Sequence, residues 1–253
     1  MFFKTLLLLM AANVLSAGHI GYPENRIIGG SNTAIEKAPW QVFLQKLERD
    51  WISACGGSLI RPDIVLTAGH CVISNGPAEF SVRVGSSNKN KGGQLFTAAK
   101  IVVHPDYKID NTPIFLNDIA VLRLSNPVKI GPTAQTIALA KYAPPTGAQA
   151  LITGWGRIVH FVKEGPIILQ GINVTIMPSD ECTIFPWINE KIICAGSKGK
   201  TTCDGDSGGA LVVNNQVVGV VSAGVRTCDT PTVYINVPYY HQWILGAIKD
   251  LYL

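Results

Sequence analysis

The chain is organised around one glycine-rich stretch, Thr201-Thr202-Cys203-Asp204-Gly205-Asp206-Ser207-Gly208-Gly209-Ala210. A serine between two glycine-bearing turns has an exposed hydroxyl, and the neighbouring backbone N–H groups are free to point at a bound oxygen atom. This arrangement suits acyl transfer with Ser207 as the nucleophile. The alternative is a glycine-rich surface turn with no catalytic role. The nucleophile is favoured because the chain also carries the partner motifs that acyl transfer needs.

Those partners are a base and an acid, because a serine hydroxyl is a poor nucleophile at neutral pH. The motif Thr67-Ala68-Gly69-His70-Cys71 offers His70 as the general base. The motif Asn117-Asp118-Ile119-Ala120-Val121-Leu122 offers Asp118 as the acid that orients the histidine, since the apolar run behind it draws the carboxylate inward. The sequence therefore predicts a catalytic triad of His70, Asp118 and Ser207.

The triad residues occur in the order His, Asp, Ser, which is the chain order of the chymotrypsin type. On these motifs the chain resembles the chymotrypsin/trypsin family of serine endopeptidases over about residues 27–251. The resemblance implies an all-β fold of two six-stranded antiparallel barrels, with the active site between them and a C-terminal helix. It also implies an oxyanion hole formed by the N–H groups of Gly205 and Ser207, and a hydrogen bond from Ser222 to the triad aspartate.

The residue pattern itself also predicts an all-β protein. After Trp40, short apolar runs rich in β-branched residues alternate with clusters of Gly, Pro, Asn or Asp. The last segment, Tyr239 to Leu251, has its apolar residues on one helical face and predicts a closing helix, and the boundary between the barrels is expected near residues 126–145. The predicted strands are Gln41 to Lys46, Gly57 to Arg61, Ile64 to Ala68, Phe80 to Val84, Leu95 to Val103, Ile119 to Leu124, Ala148 to Gly154, Gly171 to Met177, Ala210 to Val213, Gln216 to Ser222 and Thr232 to Val237.

The N-terminal residues predict a secreted precursor. Residues 1–17 have one lysine, an apolar run and small residues at the end, which is typical of a secretory signal; a membrane anchor is the alternative, but the run is short for one. Residues 18–26 form a short propeptide, and residues 27–253 form the protease domain. The net charge of only +4, with no basic run, disfavours a nucleic-acid partner.

Cutting after Arg26 would free the α-amino group of Ile27, as the resemblance to zymogens of this family implies. The new cation is expected to pair with Asp206 beside the nucleophile, because a buried carboxylate needs a partner and gaining one can set the oxyanion-binding turn. The activator is expected to be a separate trypsin-like protease, since the substrate pocket described next does not suit arginine.

The pocket differs from that of trypsins, in which an aspartate lies six residues before the nucleophile. Here the residue is Thr201, and a neutral hydroxyl cannot compensate a buried lysine or arginine. Gly224 leaves space on one side of the pocket, and Thr232 narrows the pocket from the other side. This predicts a substrate with a small to medium uncharged side chain before the scissile bond, and phenylalanine and tyrosine are not excluded. Asp204 at the pocket mouth is expected to disfavour acidic side chains. Ala223 replaces a tryptophan usual in the family and predicts a wider substrate channel.

Six cysteines is an even count, which suits three disulfides in an oxidising compartment, although the residues alone do not choose the pairing. The loop of residues 85–100 contains no carboxylate, so calcium is not expected there, and no motif for a metal or cofactor occurs. Asn173-Val174-Thr175 is a glycosylation sequon in a predicted strand. The pairs that the family resemblance implies are Cys55 with Cys71, Cys182 with Cys194, and Cys203 with Cys228.

Two classes of function fit this sequence. The first is a monomeric secreted endopeptidase that acts on proteins and peptides and is open to proteinaceous inhibitors. The second is a catalytically weak binding or regulatory protein with the same fold. The complete triad with its glycines favours the enzyme, because the altered channel at Ala223 concerns the fit of the substrate and not bond cleavage.

Overall fold

The computed structural model describes residues 28–47, 52–73, 76–109, 115–158, 164–182, 189–225 and 227–253. Its first half is a closed six-stranded antiparallel barrel in the order β2-β3-β4-β9-β6-β5. The alternation along β5, with Phe80, Val82 and Val84 buried, shows how period-2 apolar residues fill the barrel. The barrel strands are β2 (Gln41–Leu47), β3 (Ile52–Arg61), β4 (Ile64–Thr67), β5 (Phe80–Val84), β6 (Gln94–Val103) and β9 (Ala120–Leu124).

The second half is an eight-stranded sheet in which seven strands follow the order β1-β12-β11-β14-β15-β16-β13 and β10 pairs in parallel with β15. The prediction of two six-stranded barrels is confirmed as a closed barrel only for the first half. A single isolated bridge joins Ile176, the residue after β12, to Ala195 of the end strand β13. Its strands are β1 (Ser31–Asn32), β10 (Ala138–Leu139), β11 (Gln149–Gly154), β12 (Gln170–Thr175), β13 (Ile192–Ala195), β14 (Ala210–Val213), β15 (Gln216–Ala223) and β16 (Thr232–Asn236).

The chain closes with helix α1 (Val237–Asp250), where the sequence predicts one. Pro238 lies in the first turn, where its missing N–H costs no hydrogen bond. The predicted apolar face is buried: Ile244, Ala247 and Ile248 join a core cluster that also contains residues of both halves. The helix therefore packs where the two halves meet. The remaining short elements are the hairpin β7 (Lys108–Ile109) and β8 (Phe115–Leu116) and four 3-10 turns, Ile35–Lys37, Gly69–Cys71, Pro77–Glu79 and Ser179–Glu181.

Glycines let the two halves approach each other at the predicted nucleophile. A Cβ atom on Gly56 of β3 would lie 2.9 Å from the Cα atom of Gly209. Gly208 has a φ of +82°, and a Cβ atom there would overlap the Thr67 hydroxyl. Any other residue at these positions would push the halves apart, so the glycine-rich stretch quoted at the start is required by packing as well as by chemistry.

Candidate active site

Asp118 and His70 of the predicted triad are in direct contact. The carboxylate of Asp118 is fully buried and accepts three hydrogen bonds. His70 donates from its backbone N–H at 2.8 Å, the Nδ1 atom of His70 lies 2.7 Å from Oδ2, and the hydroxyl of Ser222 donates at 2.6 Å. With Nδ1 held by a carboxylate, the other ring nitrogen is left to act as a base. The hydrogen bond that the resemblance implies for Ser222 is therefore present.

Ser207 and His70 both lie close to the Cys55–Cys71 disulfide. The Cys71 sulfur is 3.7 Å from Nε2 of His70 and 3.7 Å from the backbone oxygen of Ser207. The same Ser207 oxygen accepts a 2.7 Å hydrogen bond from the amide of Gly56. The backbone of Ser207 is thus held against the first barrel, and the Cys71 sulfur contacts both Ser207 and His70.

The predicted oxyanion hole depends on the backbone conformation at Gly205. Gly205 has a φ of +98°, which a residue with a side chain rarely adopts. The amide of Arg157 donates a 2.8 Å hydrogen bond to the carbonyl oxygen of Asp204. Because the peptide is planar and trans, the N–H of Gly205 points the opposite way. Within the described part of the chain, neither this N–H nor that of Ser207 donates a backbone hydrogen bond.

Asp206 lies beneath the nucleophile and is 1% exposed. Its carboxylate accepts hydrogen bonds from the amides of Gly156 at 2.8 Å and Cys203 at 3.1 Å. Burial raises the pKa of this carboxyl to about 6, against the opposing effect of the two amides. A Cβ atom on Gly156 or Gly154 would overlap the carboxylate. Among the described residues, no ion pair is recorded for Asp206.

The predicted substrate pocket contains a buried cluster of hydroxyl groups. The hydroxyl of Thr232 lies 2.7 Å from that of Thr201 and 2.8 Å from that of Thr202. Thr201 has no exposed surface and Thr232 is 2% exposed. Gly224 lies across from them, since a Cβ atom placed on it would be 3.7 Å from the Thr232 hydroxyl. One carbon atom added at Gly224 would therefore bring the two predicted pocket walls into contact. Thr201 contributes no charge to the pocket.

Asp204, at the predicted pocket mouth, forms an ion pair that the sequence did not indicate. Its carboxylate lies 2.9 Å from the guanidinium of Arg157, and the two side chains are 61% and 34% exposed. An exposed pair of this kind contributes less than about 1 kcal/mol to stability. It nevertheless compensates the charge of Asp204, which weakens the repulsion that the sequence predicts toward acidic substrates.

The three predicted disulfides are present, and no described cysteine is free. Because Cys55 and Cys71 are bonded to each other, their sulfurs are not available as thiolate ligands beside His70. The pairs are Cys55–Cys71, Cys182–Cys194 and Cys203–Cys228.

The loop after β5, where calcium is not expected, contains an arginine that binds its backbone oxygens. The guanidinium of Arg83 donates to the carbonyl groups of Lys89 at 3.0 Å, Gly92 at 2.5 Å and Asn90 at 3.4 Å. Carbonyl oxygens that converge in this way are the ligands that a calcium ion would need. Here the guanidinium of Arg83 already donates hydrogen bonds to these three carbonyl oxygens.

Other predicted residues lie apart from this site or outside the described residues. Asn173 is exposed on β12, where the sequon was predicted. Ala223 ends β15 next to Gly224. Arg26 and Ile27 lie outside the described residues, as do the predicted signal and propeptide.

Comparisons with known proteins identify relatives of this chain. A model of the family described as Trypsin matches residues 27–244. Trypsin theta of Drosophila erecta is 37% identical over 97% of this chain and 98% of its own length. Hypodermin-B of Hypoderma lineatum is 36% identical, with coverage of 94% and 93%. The solved structure of neuropsin, a serine protease expressed in the limbic system of mouse brain, has a TM-score of 0.78 at 31% identity and covers 87% of this chain and 98% of that one.

The chain has a buried aspartate that is hydrogen-bonded to a histidine, and a serine in a glycine-rich turn where the two β halves meet. Together with these relatives, such a site defines a serine-type endopeptidase. The alignments with these two relatives span more than 90% of each relative's length, and more than 30% of the aligned residues are identical. It therefore belongs to the trypsin family, whose members act on proteins.

Sequence reasoning missed two features of the site. Arg157 carries no motif, and nothing in the sequence relates it to Asp204. Asn117 was quoted only as part of the motif around Asp118, and its contacts with helix α1 come from residues more than a hundred positions away. Such contacts are set by how the halves and the helix pack, so no local pattern encodes them.

Proposed function

We propose that this chain is a secreted endopeptidase, made as a zymogen, that hydrolyses peptide bonds through an acyl-enzyme. The hydroxyl of Ser207 attacks the scissile carbonyl carbon while its proton passes to Nε2 of His70. His70 then gives this proton to the leaving amine, and water hydrolyses the ester by the same route in reverse. The N–H groups of Gly205 and Ser207 bind the oxyanion, typically worth about 3 to 4 kcal/mol per donor.

The observation that carries this proposal is the buried Asp118 carboxylate with its three donors. Such a carboxylate fixes the tautomer of His70 and stabilises the imidazolium that forms during attack. The test is to cut the precursor after Arg26 with added trypsin and label it with a fluorophosphonate. One label per molecule is expected, and none in Ser207→Ala. A processed, folded protein that takes up no label would overturn the proposal.

Activation in this proposal follows release of the Ile27 amino group, which pairs with Asp206. The support is that the Asp206 carboxylate is buried, that its hydrogen-bond donors among the described residues are two backbone amides, and that its pKa is raised. Such a group gains from a nearby cation. Replacing Arg26 with Gln should leave a precursor that added trypsin does not activate at this bond. Activation of that variant at the normal rate would contradict the mechanism.

The substrate is proposed to carry a small or medium uncharged side chain before the scissile bond. Relatives of this chain are named trypsins, but the three hydroxyls of Thr201, Thr202 and Thr232 provide no negative charge for lysine or arginine. The pocket is also narrow, because a single carbon atom added to Gly224 would touch the hydroxyl of Thr232. A peptide library should therefore favour leucine, methionine, valine and alanine. Dominant cleavage after arginine or lysine would refute the pocket argument.

Thr232→Gly is the sharper test of pocket size, because it removes a wall without adding charge. It should shift the preference toward phenylalanine, tyrosine and tryptophan, whereas Gly224→Val should close the pocket to all but the smallest side chains. If both variants kept the wild-type preference, Thr232 and Gly224 would not be the pocket walls.

A protease that rejects arginine cannot efficiently cut after its own Arg26, so we propose a separate trypsin-like activator. Precursor purified away from other proteases should remain intact, and its processing should be first order in added trypsin. Processing that accelerates with the precursor's own concentration would contradict this.

Secretion belongs to the same proposal and is supported by the N-terminal sequence and the three disulfides. A monomeric state is proposed with it. Among the described residues, no helix is long and apolar enough to cross a membrane. Asn173 is proposed as a glycan acceptor because it is exposed in its sequon. Loss of a glycan mass increment in Asn173→Gln from a eukaryotic host would test this, and wild-type protein whose mass carries no such increment would refute it.

A further inference from the structure

The residue before the triad aspartate has an unusual backbone. Asn117 has a φ of +52°, in the left-handed region that residues other than glycine rarely adopt and that asparagine tolerates best. Its carbonyl oxygen accepts a 2.8 Å hydrogen bond from the amide of Ile119. A bond between residues i and i+2 closes a γ-turn, and Asp118 is the central residue of that turn. The direction of the Asp118 side chain therefore depends directly on the conformation of Asn117.

The side-chain amide of Asn117 is held by residues from three separate segments. Its Oδ1 atom accepts a 2.7 Å hydrogen bond from the hydroxyl of Tyr240 and lies 3.4 Å from the ammonium of Lys191. Its Nδ2 atom donates at 2.8 Å to the carbonyl oxygen of Asp106. The carbonyl of Asp106 can only accept a hydrogen bond, and the ammonium of Lys191 can only donate one. The Asn117 amide therefore satisfies both partners in only one of its two flipped orientations.

Tyr240 is itself held in place by helix α1. It is 3% exposed, and its ring stands edge-on to that of His104, with centroids 5.5 Å apart. The ring of His104 also packs on Trp243, one turn further along the helix, at 4.8 Å. Burial raises the pKa of the Tyr240 hydroxyl, so it remains a proton donor at the pH of the assays.

We propose that Tyr240 and Asn117 are positioning residues for Asp118, so that the C-terminal helix takes part in aligning the triad. This inference rests on the proposed function. The helix presents the Tyr240 hydroxyl, which holds the Asn117 amide; the amide keeps the turn left-handed, and the turn aims the carboxylate at His70 and Ser222. Loss of the hydroxyl should slow acylation, because the imidazole is held less well, and should leave substrate binding unchanged.

The test is Tyr240→Phe in the processed enzyme, because the substitution removes one oxygen and keeps the ring. A three- to tenfold lower kcat with KM within twofold is expected, about the effect of one ordinary hydrogen bond. Tyr239→Phe is the matched control: it removes a hydroxyl from the neighbouring ring, which is 46% exposed, and should keep the wild-type kcat.

Two further variants separate the backbone from the side chain. Asn117→Gly permits the left-handed turn but removes the amide with its contacts to Tyr240, Lys191 and Asp106, so it should lose at least as much kcat as Tyr240→Phe. The double variant should lose little more than Asn117→Gly alone, since the hydrogen bond that Tyr240→Phe breaks is already absent from it. Asn117→Ala also strains the turn and should lose more.

The far-downfield proton resonance of the Nδ1–H of His70 gives a readout that needs no turnover. It should shift or broaden in Tyr240→Phe and be unchanged in Tyr239→Phe. A wild-type kcat with an unshifted resonance in Tyr240→Phe would overturn the inference. So would a loss of kcat that only follows a lower thermal midpoint, with the resonance unchanged. If the wild-type protein fails to label at Ser207, the proposed function is wrong, and the resonance still decides the role of Tyr240.

Discussion

Asp206 should make the precursor less stable at neutral pH than at pH 4. Its pKa of about 6 compares with 3.8 for an ordinary aspartate, and a tenfold change in proton affinity corresponds to about 1.4 kcal/mol. The folded precursor therefore binds the proton more tightly than the unfolded chain does. As the pH rises from about 4 to above 6, this group should lower the free energy of unfolding by about 3 kcal/mol.

Asp206→Asn removes this dependence. The amide can still accept from Gly156, but its NH2 group faces the amide of Cys203, which costs about 1 kcal/mol. The variant precursor should thus be about 1 kcal/mol less stable than wild type at pH 4 and about 2 kcal/mol more stable at pH 7. The buried charge causes the change with pH, and the cost at the Cys203 amide makes the variant the less stable protein at pH 4.

The assay is urea unfolding of both precursors between pH 4 and pH 8, in a Ser207→Ala background that prevents self-cleavage. Other titrating groups are common to both proteins, so they cancel in the difference. After cutting at Arg26 the sign should reverse, because the new amino group then pairs with Asp206 and the aspartate becomes the more stabilising residue at pH 7. A stability difference in the precursors that is the same at every pH would refute the reasoning.

Three further predictions test separate parts of the structure. Ser222→Ala removes the 2.6 Å donor to Asp118 and should lower kcat about tenfold with little change in KM; an unchanged kcat in steady-state assays would contradict the role given to this hydroxyl. Arg83→Gln frees three loop carbonyls and should lower the thermal midpoint by a few degrees, whereas calcium or a chelator should not move that of wild type; stabilisation of wild type by calcium would show that the loop binds the ion. Gly208→Ala would overlap Thr67 and should abolish fluorophosphonate labelling and destabilise the fold by more than about 2 kcal/mol; normal labelling at the wild-type melting temperature would be incompatible with the close approach.

Local sequence determined most of the secondary structure. All eleven predicted strands are present with ends that differ by a few residues, because β-branched runs and turn residues mark both the strands and their ends. The strand β13 (Ile192–Ala195) was missed. The two-residue strands β1, β7, β8 and β10 were also missed, because two residues are too few to show an alternating pattern. Helix α1 was predicted from its apolar face, and it begins two residues earlier than expected because Pro238 suits a first turn.

The triad candidates were also evident in the sequence, because each lies in a short motif whose residue types are dictated by chemistry. Only the tertiary structure decided what holds them. The Arg157–Asp204 pair and the Tyr240–Asn117 hydrogen bond join residues 47 and 123 positions apart. The way the second sheet ends, in one bridge instead of a closed ladder, is likewise set by packing between distant strands. Distances of this kind depend on how whole elements pack, and a one-dimensional pattern carries no record of them.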